Sequence, residues 1–387
     1  MNYLRAVIVR ELKQIFARPL YIFSSVVMMT ICVVFFTTLM TSGSPQRMPV
    51  AVVDHDQSSI SRRLVHEMEA TQSVTVVAVV PTFAEARNMM QHGKIYGFME
   101  LPENFYADIV AQRRPQIAFY TTQAYTVGGT TAYKQLLTMA NLASGAFQRE
   151  ILRMKGMSEK QIMNIIQPIV LEAHLIANPW SNYPIYLLST ILPGILGVII
   201  VMITVFSIGS ELKFSTSPQW LKEANGSFAI AIIGKMLPYT LLFLIMGISC
   251  NMLLFRFMHF PVYGSHWGLA LNMINFVLAE QCVAIFFIGL LPTLRDALSV
   301  GALYSMLSFS LSGFTYPKMG MLPFVQALTN AFPLRHYYLN YVNEALMGTS
   351  FMQCIPQYVA YICFMLLPFL VFKRLHGAMV NLNFPKK

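Results

Sequence analysis

PIYLLSTILPGILGVIIVMITVFSIG, residues 184–209, runs for twenty-six residues without a formal charge. About 20 predominantly apolar residues are enough to carry a helix across the hydrocarbon core of a bilayer, so this stretch predicts a membrane-spanning helix. The same measure selects five more: Leu20 to Met40 before it, then Phe228 to Phe255, Trp267 to Leu291, Ala297 to Phe314 and Gln357 to Phe372. Pro292 to Asp296 leave room only for a tight turn between the fourth and fifth. The expected fold class is a polytopic α-helical membrane protein with six transmembrane helices.

Composition agrees. The 387 residues are 56% hydrophobic and 11% charged, against about 25% charged in an ordinary soluble chain. The formal charge of +10 does not indicate nucleic acid, because the basic residues sit beside apolar runs rather than on one soluble face. Cys32, Cys250, Cys282 and Cys363 lie inside apolar runs and Cys354 at the edge of another, with no C-x-x-C spacing for metal or redox work.

Basic residues set the expected orientation. Arg5, Arg10, Lys13 and Arg18 precede the first span; Lys213 and Lys222 follow the second, Arg295 the fourth, and Lys373, Arg374, Lys386 and Lys387 the last. The opposite short connections hold only Arg256, Lys318 and Arg335. Both termini are therefore expected in the cytoplasm. The first apolar run exceeds a signal-peptide core and reads as a retained anchor. Leu4, Ile8, Leu12, Ile15 and Phe16 recur before it at helical spacing among basic residues, which describes an amphipathic helix on the inner membrane surface over 1–19; an ordinary charged arm is the plainer alternative.

Residues 41–183 form a long polar insertion, expected outside. It contains no cysteine, so it must fold on its own core. Strand-like runs at Pro49 to Val53, Val74 to Val80, Ile95 to Glu100 and Gln116 to Tyr120 alternate with helical ones at Ser58 to Ala70, Thr82 to His92 and Glu103 to Gln112. Thr82 with Glu85, and Ser158 with Gln161, have the spacing of capping boxes. A long helical pattern runs from Gly128 to Lys155. The alternation predicts a small α/β domain.

Signals for catalysis fail on inspection. His66-Glu67 begins a zinc motif that Ala70 breaks, and Asp54-His55-Asp56 on a strand would point to alternate faces. There is no G-x-S-x-G elbow. The phosphate-binding pattern G-x-x-x-x-G-K-[ST] is also absent. Inside the spans, Glu280 beside Gln281 stands out, because a charge there costs about 2.5–3.5 kcal/mol on insertion scales. It is either a substrate or proton site or a packing group bonded to Asn272 or Asn275. Lys235 is expected to snorkel to water. Pro193, Gly194 and Gly197 mark a kink or a close helix contact in the second span.

Several motifs, in order, resemble the permease subunits of ABC transporters of the type 2 export family, which share the type V exporter fold. They are Val50-Ala-Val-Val-Asp54 with Asp56, Ser58 and Arg62-Arg63-Leu64; Gly93-Lys-Ile-Tyr-Gly97; Leu101-Pro-Glu-Asn-Phe105; Gly209-Ser-Glu-Leu-Lys213; Thr216-Ser-Pro218; Gly234-Lys-Met-Leu-Pro238; Leu311-Ser-Gly-Phe-Thr-Tyr-Pro317; and Pro333-Leu-Arg-His-Tyr337. Members of the family often have a charged run ending in Gly-Thr after the second span; this chain has Glu211-Leu-Lys-Phe-Ser-Thr216.

The resemblance implies a multi-pass permease of a bacterial inner membrane with no ATPase site or cofactor of its own. ATP and magnesium would be bound by partner ABC ATPase subunits. The permease would work as a homodimer, or a heterodimer with a similar chain, to export an amphiphilic or hydrophobic substrate of the multidrug-efflux kind, with a periplasmic adaptor and outer-membrane channel as further partners. ATPase coupling is then expected in the cytoplasmic connection 210–227, at Glu211, Lys213, Lys222 and Glu223. The second and fifth spans would line the path through Phe206, Ser210, Glu280, Ser305, Ser308 and Phe309. An outer re-entrant region over 316–348 would gate it with Tyr316, Arg335, His336 and Glu344, before the last span and the cytoplasmic tail 373–387. The alternative function is a membrane-anchored protein that senses a ligand through its external α/β domain.

Overall fold

The computed structural model describes residues 2–170 and 172–382; Lys386 and Lys387, counted above for orientation, lie outside them. Two compact units are present: one comprises Met1–Thr41 with Leu175–Lys387, the other Ser42–His174.

The chain opens with helix α1 (Asn2–Ala17) and, after Arg18, helix α2 (Pro19–Leu39). Pro19 begins α2, where the missing N–H is harmless. A π-helical turn over Phe23–Val27 follows, and within it the Ser25 hydroxyl donates to the Tyr21 carbonyl at 2.6 Å. On α1 the buried positions are Val7, Glu11 and Ile15, spaced by four, while Leu12 and Phe16 of the expected apolar stripe are 40% and 74% exposed. The face α1 buries is therefore centred on a carboxylate.

The second unit contains β1 (Met48–Asp54), α3 (Ser59–Glu69), β2 (Val74–Val80), α4 (Phe83–Gln91), β3 (Gly97–Leu101), α5 (Phe105–Val110), β4 (Ala118–Thr121), α6 (Thr126–Met154) and α7 (Glu159–Ile166). The sheet order is β2-β1-β3-β4, with β1 parallel to both neighbours and β4 antiparallel to β3. Val50, Ala51, Val52 and Val53 of the central strand are all fully buried, as a strand covered on both faces requires. Alternation divides them: Val50 and Val52 pack with Leu64 of α3 and Leu136 of α6, Ala51 and Val53 with Ala86 of α4. The Ser58 and Thr82 hydroxyls accept from the Ser61 and Glu85 amides and cap α3 and α4. Ser158 and Gln161 form the capping box of α7.

The first unit resumes with α8 (Tyr183–Lys213), α9 (Ser217–Glu223), α10 (Phe228–Phe257), α11 (His266–Leu290), α12 (Leu294–Leu311), α13 (Pro323–Leu328), α14 (Pro333–Tyr341) and α15 (Phe351–Asn381). Five helices (α2, α8, α10, α11 and α15) are long and apolar enough to cross a membrane. The expected fifth span is not among them. Its helix, α12, has 18 residues and carries Arg295, Asp296 and four serines, which lower its mean hydropathy. The most apolar window of α8 is 67% buried, whereas those of α2 and α15 are 11% buried. Thus α8 is a central helix of the unit, and α2 and α15 present apolar faces outward. The helix of α8 continues through Pro193.

Candidate functional site

Four ionised side chains meet where α1 crosses α8 and α10. Gly234 of α10 permits the crossing, since a Cβ there would stand 2.9 Å from the Val7 side chain. Gly234→Val is accordingly expected to lift α1 from α10, read as a several-fold faster proteolytic cut after Arg10 or Lys13. Lys235 follows Gly234, and Tyr239 lies one turn further on the same face. The Lys235 ammonium donates to Glu11 Oε2 at 2.7 Å, and the Tyr239 hydroxyl donates to Glu11 Oε1 at 2.8 Å. Lys235 and Glu11 are both wholly buried.

Glu211, in the last turn of α8, joins this pair to a second one. Its Oε1 accepts from Lys235 at 3.1 Å, from Arg10 at 2.9 Å and from Gln14 at 3.4 Å. The same Arg10 Nη2 also reaches Oε2 at 2.9 Å, so one amino group bridges both carboxylate oxygens. Ser215 turns the chain back with φ 56°, so that the Thr216 hydroxyl donates to Glu211 Oε2. Arg10 and Gln14 are one turn apart on α1, so one ridge of that helix serves Glu211 and the next serves Lys235. Arg10 further approaches Glu223 of α9 at 3.7 Å. Lys235 lies 5.0 Å over the Trp220 ring, whose N–H donates to Ala231 O at 3.2 Å. Tyr21 of α2 packs on Phe206 and Tyr239, at 5.6 and 5.7 Å, beside the cluster.

The formal charges balance: buried Glu11, Glu211 and Lys235 with the partly buried Arg10. Removing ions from water costs several kcal/mol each, so such a set is sustained only when every member has close partners. Chemically it can bind α1, α8 and α10 into one body; it has no nucleophile or acid–base pair aimed at open space. Among the described residues no group of three or more His, Cys, Asp or Glu could hold a metal ion.

The expected coupling residues thus separate. Glu211 is the hub, 3% exposed, while Lys213, Lys222 and Glu223 face outward. Lys235 does not snorkel; it is held inside by two carboxylates. Sequence reasoning missed Glu11. Its signal was available, as it is the sole acidic residue of α1 and lies four residues from both Val7 and Ile15.

The expected path residues lie mostly inside the single chain. Ser210 and Ser308 are buried and bond back to Ser207 O and Ser305 O of their own helices, at 3.1 and 2.9 Å. Ser305 Oγ is buried with no partner among the described residues, and Phe309 packs over Gly194. Phe206 is half-buried against Tyr21. Glu280 is 3% exposed in α11, in space left by Gly197, where a Cβ would stand 3.3 Å from its carboxylate. The proposed packing partners are committed elsewhere: Asn272 to Tyr337, Asn340 and Tyr361, and Asn275 to Leu271 O at 2.8 Å.

The expected outer-gate residues do not form one constellation. Tyr316 is 54% exposed. Arg335 donates to Ser312 O at 3.1 Å, and His336 lies between Gln357 Oε1 at 2.7 Å and Asn330 O at 3.1 Å. Glu344 accepts from the Tyr358 hydroxyl at 3.4 Å, and its second oxygen is buried with no partner among the described residues.

Against known families, the chain matches the ABC-2 family transporter proteins over residues 19–372, nearly its whole length. No curated protein and no solved structure matches it. Five long apolar helices and a family match across almost the entire sequence make this chain a multi-pass membrane protein that belongs to the ABC-2 transporter family, whose implied partner is an ABC ATPase.

Proposed function

We propose that the chain is the permease subunit of an ATP-driven exporter, and that the Glu11–Lys235–Glu211–Arg10 cluster transmits work from a partner ATPase to the spans. The observation that carries this reading is the cluster itself. It ties the N-terminal helix, the end of α8, the α9 connection and the start of α10 into one charged, buried node. Above it the groove between α1 and α9, about 500 Å³ and lined by Val9, Arg10, Lys13 and Glu223 among others, offers the ATPase a seat. Lys213 and Lys222 of the connection are exposed and available to the same partner.

In this proposal α12 serves as the sixth span. Its 18 residues extend about 27 Å at 1.5 Å per residue, close to the bilayer core. Both termini lie in the cytoplasm of a bacterial cell, the Ser42–His174 unit lies outside, and two such chains form the path. ATP and magnesium belong to the partner. The cargo is an amphiphilic or hydrophobic molecule, handed to a periplasmic adaptor and outer-membrane channel. Recovery of an ABC ATPase with the chain from native membranes in mild detergent tests the assignment, and repeated isolation without one contradicts it.

Glu280 is the proposed path group. Glu280→Gln keeps the side-chain volume and is expected to leave the fold intact while changing the rate–pH profile of ATP-driven transport. A profile identical to that of the wild type would remove Glu280 from the path.

A further inference from the structure

The α/β unit contains a cavity of about 630 Å³ between α5, the segment leading to β4, α6 and α7. Its floor is apolar: Phe105 and Ile109 come from α5, Ile117 from the approach to β4, and Phe147 and Ile151 from α6. On α6 the lining positions 140, 143, 147 and 151 recur every three or four residues, so one helical stripe faces the hollow. The unit's core uses the same helix earlier, through Ala132, Leu136 and Met139. The stripe therefore runs on from the core, with Ala143 and Phe147 partly buried against it and partly facing the hollow.

The rim is different in kind. It carries Arg114 and Lys155, with Gln112, Gln148 and Ser144, and no carboxylate among the described residues lines the cavity. Nearby acids are already paired: Asp108 with Arg113 at 3.1 Å and Glu159 with Arg149. Neither Arg114 nor Lys155 has a carboxylate within ion-pair distance among the described residues. A hollow of this volume, with an apolar helical stripe and five polar side chains in its lining, has the form of a small-molecule site. The two unpaired cations select the polar end of what fills it.

We propose that this groove binds one amphiphilic anion: a single apolar body, acyl or steroid in size, inside the hollow, with a carboxylate or sulfate between Arg114 and Lys155. The head takes charge-assisted hydrogen bonds from the guanidinium and ammonium, and the body covers the Phe147 and Ile151 stripe. A two-chain phospholipid has too large an apolar part for the hollow, so the ligand is a free amphiphile. The site is independent of the ATPase-coupling cluster, and either assignment can fail without the other.

The test uses the full chain in phosphatidylcholine nanodiscs and three photoreactive twelve-carbon probes bearing a diazirine, ending in carboxylate, alcohol or trimethylammonium. The carboxylate probe is expected to label peptides spanning 105–117 and 140–155. Labelling there should fall at least about tenfold in the Arg114→Glu/Lys155→Glu variant, since loss of a single charged contact already reaches that, and equally with the alcohol or ammonium probe. Both rim residues are exposed, so these changes leave the core in place. Ala143→Trp, which fills the hollow, should abolish labelling by the carboxylate. The proposal is overturned if the charge-reversed variant labels as the wild type does, or if the ammonium probe labels as well as the carboxylate. Displacement of the probe by phosphatidylglycerol in the disc would assign the groove to lipid and equally refute it. Labelling confined to the spans would do the same.

Discussion

Lys235→Met is expected to destabilise the membrane unit by about 3–5 kcal/mol, the cost of breaking a buried ion pair from one side. The variant leaves the fully buried Glu11 carboxylate with only the Tyr239 hydroxyl, and leaves Glu211 with one cation instead of two. A lowered midpoint of thermal unfolding in nanodiscs reads the loss. The double change Glu11→Met/Lys235→Met should recover most of it, because apolar side chains of similar volume replace a buried pair at little or no net cost and Arg10 still neutralises Glu211. If the single and double variants melt alike, the pair does not act as one unit.

Glu211→Gln has a different expected result. One carboxylate receives Arg10, Gln14, Lys235 and Thr216, so the amide weakens every link between α1, the connection and α10 at once. The protein should still assemble with its ATPase, because the outward-facing Lys213, Lys222 and Glu223 remain. Cargo moved per ATP hydrolysed should fall about tenfold or more, within the usual range of coupling free energies between sites. The check is parallel measurement of transport and hydrolysis in proteoliposomes; an unchanged ratio removes Glu211 from the coupling path.

Much of the architecture was legible because it is written in local periodicity. An uncharged run such as 184–209 permits few alternatives, and the caps at Thr82 and Ser158 declare helix starts by spacing alone. The α12 helix was harder: Arg295 and Asp296 fall inside its first turn rather than in a loop before it. The site was legible only in part. Glu211 was reached through a family resemblance, but its partners come from positions 10, 11 and 235, far apart in sequence. Single-residue rules misled there. A lone lysine near a span end ordinarily seeks water, and Lys235 does not because α1 brings a carboxylate to it. Ser305, Ser308 and Glu280 were marked by residue type, while the room for Phe309 and Glu280 between packed helices depends on Gly194 and Gly197, whose missing side chains provide it.

The central claim is that the buried cluster carries ATP-driven motion into the spans. It is tested most directly with a spin label at position 319, which is 97% exposed in the wild-type chain, placed in each of two assembled copies with the partner ATPase. The label-to-label distance is measured before and after trapping with ATP and vanadate. The account predicts a clear shift with native Glu11 and Lys235, and none in Glu11→Met/Lys235→Met even though that complex remains assembled and hydrolyses ATP. The same shift in both would contradict it.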